Sequence, residues 1–148
     1  MTDLNFSEAE LLAQARGNQT AIWHIAVRRA RERDGAVDDW GSYVGREFAP
    51  SWDEMGEAPS ARDVARMAAM NVATTADMQP VRLDGDDTRA ELLIEGPEQE
   101  WLDDFGTTLE DLDRVNELIF RAIAEGRGLT LESRRADDGL HLVFARPV

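Results

Sequence analysis

The chain holds 148 residues, with 30 acidic side chains against 16 basic ones and no cysteine, for a formal charge of −14. That length is about one domain, residues 1–148, able to bury a core without disulfides or metal. The missing cysteine excludes disulfides, thiolate-held zinc, iron–sulfur clusters and thiol catalysis. Every base is an arginine, so lysine Schiff-base chemistry is excluded too. The acidic balance opposes binding to bare phosphate backbones, whose affinity comes from Lys and Arg. No apolar run approaches the ~18 residues of a membrane span. The start, Met1-Thr2-Asp3-Leu4, lacks the basic and apolar regions of a leader. These readings predict a soluble, cytoplasmic protein with no nucleic-acid or membrane partner.

Ser7-x-x-Glu10 is a capping box, in which the hydroxyl accepts from an orphan N–H and the acid reaches back. It predicts one long helix from Ser7 to about Asp34, ended by Asp34-Gly35. At about 100° per residue, Leu11, Leu12, Ala15, Ile22, Trp23, Ala26 and Ala30 fall on one apolar face. Gly17 either costs about 1 kcal/mol against Ala or marks a kink. A second helix spans Ala36 to Phe48, with Val37, Trp40, Val44 and Phe48 inward. Pro50 stops it, because proline disfavours helix in the residue before it. A second capping box, Ser60-x-x-Asp63, opens a third helix from Ala61 to about Asp77, with Val64, Met67, Ala68 and Val72 inward.

The period then changes to two. Val81 to Leu83 and Arg89 to Glu95 flank Asp84-Gly85-Asp86-Asp87, which predicts a β-hairpin. That turn lacks the residue order of a calcium loop. Gly96 to Gly106, with Trp101 and Phe105, reads as an ordered loop. The box Thr107-x-x-Glu110 opens a fourth helix, Thr108 to Glu125, with Leu112, Val115, Ile119 and Ile123 inward. Leu129 to Arg135 and Leu140 to Ala145 form a second hairpin around Ala136-Asp137-Asp138-Gly139. The fold class is α+β: four helices packed on one antiparallel sheet made of two β-hairpins, in the order ααα-ββ-α-ββ.

The same phase count puts polar side chains on apolar faces. Gln19 lies in the first stripe, and Glu47 falls beside Trp40 and Tyr43. Asn71 and Thr75 sit among Val64, Ala68 and Val72, and Asn116 lies between Leu112 and Ile119. Burying such groups unpaired costs about 1–3 kcal/mol each. They either form a closed structural network or tip a pocket between helices and sheet. Glu47 carries the most chemical weight. In apolar surroundings its carboxyl would be raised toward neutral pH, fit for proton transfer; the other reading is an ion pair with an arginine. Trp40 reads as core, whereas Trp23 on the stripe's flank and Trp52 after a proline are candidates to hold a flat ligand. His24 points about 130° from the apolar centre, close to Arg28 and Arg31, and reads as solvent-exposed or in a side contact. His141 alternates to the outer sheet face. The two histidines give no metal-ligand spacing, and no phosphate loop, dinucleotide fingerprint or nucleophile elbow is present.

Three segments carry a family resemblance: Ile22-Trp23-His24-Ile25-Ala26, Trp52-Asp53-Glu54-Met55-Gly56, and Leu118-Ile119-Phe120 followed by Gly128-Leu129 and the terminal hairpin. With the element order, they resemble the bacterial proteins related to L-2-amino-thiazoline-4-carboxylate hydrolase. The resemblance implies the fold and a small-molecule cavity. The cysteines near that family's hairpins have no counterpart here, so it implies no catalytic residue.

The function expected is that of a small, cofactor-independent enzyme, without metal, acting by acid–base chemistry on a small aromatic or heterocyclic molecule. Hydrolysis, cyclisation and ring opening all fit, in specialised metabolism for instance. Glu47 is the expected proton-transfer group; Gln19, Trp23, Trp52, Asn71, Thr75 and Asn116 are the expected substrate contacts. The alternative is a non-catalytic domain that binds a small molecule or a protein, with a homodimer among its forms.

Overall fold

The computed structural model describes residues 4–56 and 58–148. Residues 1–3, on which part of the leader reading falls, lie outside the described residues. Helix α1 spans Glu8–Asp34, α2 Asp38–Phe48 and α3 Ala61–Ala73, with a 3-10 helix at Ala49–Met55 between the last two. Strands β1 (Gln79–Gly85) and β2 (Arg89–Glu95) form the first hairpin. Helices α4 (Gln99–Phe105) and α5 (Leu109–Gly126) follow, then the hairpin β3 (Thr130–Ala136) and β4 (Gly139–Ala145). The fold is α+β, with one antiparallel sheet in the order β1-β2-β4-β3. Among the described residues, no helix is long and apolar enough to cross a membrane.

The hairpins join through β2 and β4, where Ala90 faces Phe144, Leu92 faces Leu142 and Ile94 faces Leu140. These six residues are buried and share one core with Val64, Ala68 and Val72 of α3 and Phe120 and Ile123 of α5. The period of two in the strands and 3.6 in the helices thus meet on a single sheet face. A second core lies between α1, α2, α4 and α5, built from Val27, Ala30, Val37, Leu102, Leu112 and Val115. Trp40 packs against it, tilted on Trp23 at a centroid distance of 5.3 Å.

Several boundaries differ from the sequence reading. The segment read as a loop contains α4, ended by Gly106 in the left-handed conformation. Two turns are too short to show a helical period, so its Trp101 and Phe105 gave no signal. Helix α3 stops at Ala73, because the Thr74 and Thr75 hydroxyls donate to the carbonyls of Asn71 and Val72. The cap of α5 is Thr108, whose hydroxyl accepts from Asp111 N–H, and not Thr107. The Thr107 side chain is committed elsewhere, as described below.

The largest difference is the face that α2 buries. Gly41 and Gly45 are its buried residues. A Cβ on Gly45 would come within 3.0 Å of both Ala122 Cβ and the Leu118 carbonyl oxygen; one on Gly41 would lie 3.0 Å from Leu118 Cδ1. The packing stripe on α5 is therefore Val37-Gly41-Gly45, set by backbone approach and not by bulky side chains. Tyr43 and Phe48 stay half exposed. Gly45→Val should lower unfolding stability by about 1–3 kcal/mol through overpacking. Gly17→Ala, at a helical position with open space around it, should raise stability by about 0.5–1 kcal/mol. Urea titrations of both variants check the pair.

Candidate functional site

A cleft of about 610 Å³ opens where α1, the 3-10 helix, the C-terminal end of α3 and α5 converge. That volume lies within the usual range for small-molecule sites. Gln19, Trp23, Trp52, Asn71, Thr75 and Asn116 all border it. Helical phase points to Gln19, Trp23, Asn71, Thr75 and Asn116 in the sequence, and the place after Pro50 to Trp52; the fold brings all six to one cleft. Gln19 and Asn71 lie at the exposed rim, and the Asn71 amide donates to the Met67 carbonyl at 2.9 Å. The Thr75 hydroxyl bonds the Val72 carbonyl at 2.8 Å. Ile119, Phe120 and Ile123 supply the apolar floor, with Trp52 buried beside them.

Asn116 differs from the other polar residues. Its residue is only 9% exposed, it borders the cleft, and its side-chain amide has no hydrogen-bond partner among the described residues. An amide offers two donors and one acceptor oxygen. Among the described residues the buried side-chain N or O atom without a partner is Arg127 Nε, so the Asn116 amide atoms are reached from the cleft and are open to a polar atom there.

Glu47 is not part of this site. It is exposed and does not line the cleft, which corrects the assignment of the proton-transfer group. Its position beside Trp40 and Tyr43 suggested an apolar face. The glycine stripe turns that side of α2 outward, and Tyr43 remains 55% exposed.

The carboxyl that does border the cleft is Asp77. Its Oδ2 lies 2.7 Å from His24 Nε2, and His24 Nδ1 lies 2.7 Å from the Thr107 hydroxyl. An ionised Asp77 only accepts, so Nε2 carries a proton. In the neutral ring Nδ1 then accepts from Thr107. Thr107, His24 and Asp77 form a line of hydrogen bonds from the interior to the cleft wall. His24 is fully buried, which overturns the exposed reading. Trp101 and Phe105 of α4 pack on it at 5.7 and 5.6 Å between ring centroids.

The reason for the misreading lies in α1. Its buried face carries Thr20, His24, Val27 and Ala30, whereas Leu11, Leu12, Ile22 and Ile25 point to solvent. The spacing 20, 24, 27 was a legible helical stripe, but two polar members hid it beneath a larger apolar one. Thr20 adds a second tie, its hydroxyl accepting from Ala76 N–H at 2.9 Å. Thr20 and His24, one turn apart, thus hold the loop that carries Asp77.

His141 sits at a separate place, on the sheet face away from the helices. Its ring nitrogens lie 2.6 Å from Glu91 Oε1 and 2.7 Å from Asp138 Oδ1. The hydrogen bond to Asp138, then that to Glu91, raise its pKa above the ordinary value against partial desolvation. The same hydrogen bonds hold both carboxyls below theirs. The raised imidazole contributes stability below pH about 6.5 that is lost as pH climbs through its folded value. The lowered carboxyls contribute stability above about 4.5 that is lost as pH falls through theirs. Stability against urea should therefore peak between those limits, and His141→Gln should flatten the curve on both sides.

No family model matches the chain, and no curated protein matches it.

Proposed function

We propose that the cleft binds a small, flat, mostly apolar molecule with at least one polar atom, and that Asp77, backed by His24, moves a proton on it. The unpartnered amide of Asn116 in an apolar cleft is the observation that carries this reading, since a closed structural network would have paired it. Trp23, Trp52 and Phe120 suit a ring system, and Asn116 suits a carbonyl, ring nitrogen or N–H. Asp77 is the acid or base, and the His24 imidazole behind it holds the carboxyl in place. Hydrolysis, cyclisation or ring opening of a heterocycle needs only such proton transfers, with no cofactor. The resemblance to the thiazoline-carboxylate hydrolase relatives supports the small-molecule cavity and says nothing of Asp77.

A second reading is a non-catalytic binding domain. It is favoured by the fact that Thr20 and His24 both fasten α1 to the loop at Ala76 and Asp77, so the His24–Asp77 pair has a structural duty as well.

A thermal-shift screen of heterocyclic carboxylates and amides, followed by turnover assays on those that bind, separates the readings. Asn116→Leu should weaken binding about 5–30-fold, the worth of one or two kcal/mol. Asp77→Asn preserves an acceptor for His24; it should keep binding and lower turnover about 10²–10⁴-fold. Full activity in Asp77→Asn would remove the catalytic role, and a binder left untouched by Asn116→Leu would remove the cleft.

A further inference from the structure

We propose that the outward face of α1 pairs antiparallel with α1 of a second copy of this chain. The inference is independent of what the cleft holds.

Helix α1 has two faces. One is the buried stripe already described. The other carries Glu8, Leu11, Ala15, Asn18, Ile22, Ile25 and Arg29, at spacings of three and four in strict alternation. That alternation is the heptad seam of a helix pair, and it lies opposite the buried face. Leu11, Ile22 and Ile25 are 55, 67 and 55% exposed. From Glu8 to Gln19 no residue of the helix is buried, so about three turns stand beyond the body of the domain. An unsupported helix of that length is marginal in water. A partner along the seam would support it.

Charge selects the occupant. The chain as a whole is strongly acidic, and copies of it repel. Helix α1 departs from that balance, with five arginines against four carboxylates. The charges lean to opposite ends: Glu8 and Glu10 stand in the first turn, whereas Arg28, Arg29, Arg31 and Arg33 outnumber Glu32 and Asp34 at the other end, where Arg28 pairs with Glu32 and Arg33 with Asp34. At the two ends of the seam, neither Glu8 nor Arg29 has an ion-pair partner among the described residues. A parallel pair would set Glu8 against Glu8 and Arg29 against Arg29. An antiparallel pair centred near Asn18 sets each Glu8 toward the partner's Arg29 and Leu11 toward the partner's Ile25. The seam is self-complementary in that direction alone, as a two-fold dimer requires. Asn18 then meets its own copy near the axis, where a polar pair fixes register. Ile22 belongs both to this seam and to the lip of the cleft, so the partner helix would run along the cleft mouth.

Sedimentation equilibrium of the full chain should give twice 16.5 kDa. The double variant Leu11→Asp with Ile25→Asp should give one chain's mass with an unchanged circular-dichroism spectrum, since both sites are exposed. Direction is read by cysteine cross-linking, which the absence of native cysteine makes clean. Asn18→Cys should oxidise to a covalent dimer. Leu11→Cys alone should not, because antiparallel pairing puts the two copies of that position about 21 Å apart along the axis, far beyond disulfide reach. A mixture of Leu11→Cys and Ile25→Cys chains should cross-link. A monomer throughout the concentration series, a dimer indifferent to the aspartates, or self-linking of Leu11→Cys as readily as Asn18→Cys would each overturn the proposal.

Discussion

A fully buried imidazole holds this architecture in place. His24 reaches the loop after α3 through Asp77 and the start of α5 through Thr107, with α4 stacked against its ring. One side chain therefore fixes where α1 lies relative to three other elements. To the core it shares with α2, α4 and α5, α1 gives Val27 and Ala30 as buried members, with the partly buried Trp23 packed against them. Polar ties at Thr20 and His24 join that apolar burial in setting the position of α1 at the cleft. Such ties are directional, whereas hydrophobic contact is not. A cleft wall held this way keeps its place although an open cavity lies beside it.

Much of the fold was legible because its periods are clean. Strand β2 was read with its observed bounds, and the boxes at Ser7 and Ser60 close as expected, each with its acid bonded back to the cap. Helix α5 has an unambiguous apolar face, which is why Asn116 could be placed inside from sequence. The failures share a cause. Phase arguments weigh side chains by size and apolarity, so a glycine stripe counts for nothing and a Thr–His stripe counts against itself. Gly41 and Gly45 carry the contact of α2, and their silence moved Glu47 inward on paper. Thr20 and His24 carry the contact of α1, and the stripe of Leu11 and Ile22 outvoted them. Asp77 was lost because α3 was carried four residues too far, into the loop that presents it.

The cleft and the outer sheet face handle polar groups in opposite ways. His141, Glu91 and Asp138 satisfy one another at 2.6 and 2.7 Å, and the cluster shields Leu93 and Val143, both buried on a sheet face that no helix covers. There, polarity closes a surface. In the cleft the Asn116 amide stays open among Ile119, Phe120 and Ile123. The difference between a polar group paired within the protein and one open to the cleft separates structural from receptive polarity in the same small domain.

The glycine contact between α2 and α5 has a consequence for how such a domain can diversify. The spacing of these helices is set by the glycine backbone of α2 lying against Leu118 and Ala122 of α5. Phe120 and Ile123 project away from that contact, toward the cleft. Evolution can therefore exchange those floor residues for larger, smaller or more polar ones and alter what the cavity admits, while the scaffold that frames it keeps its dimensions.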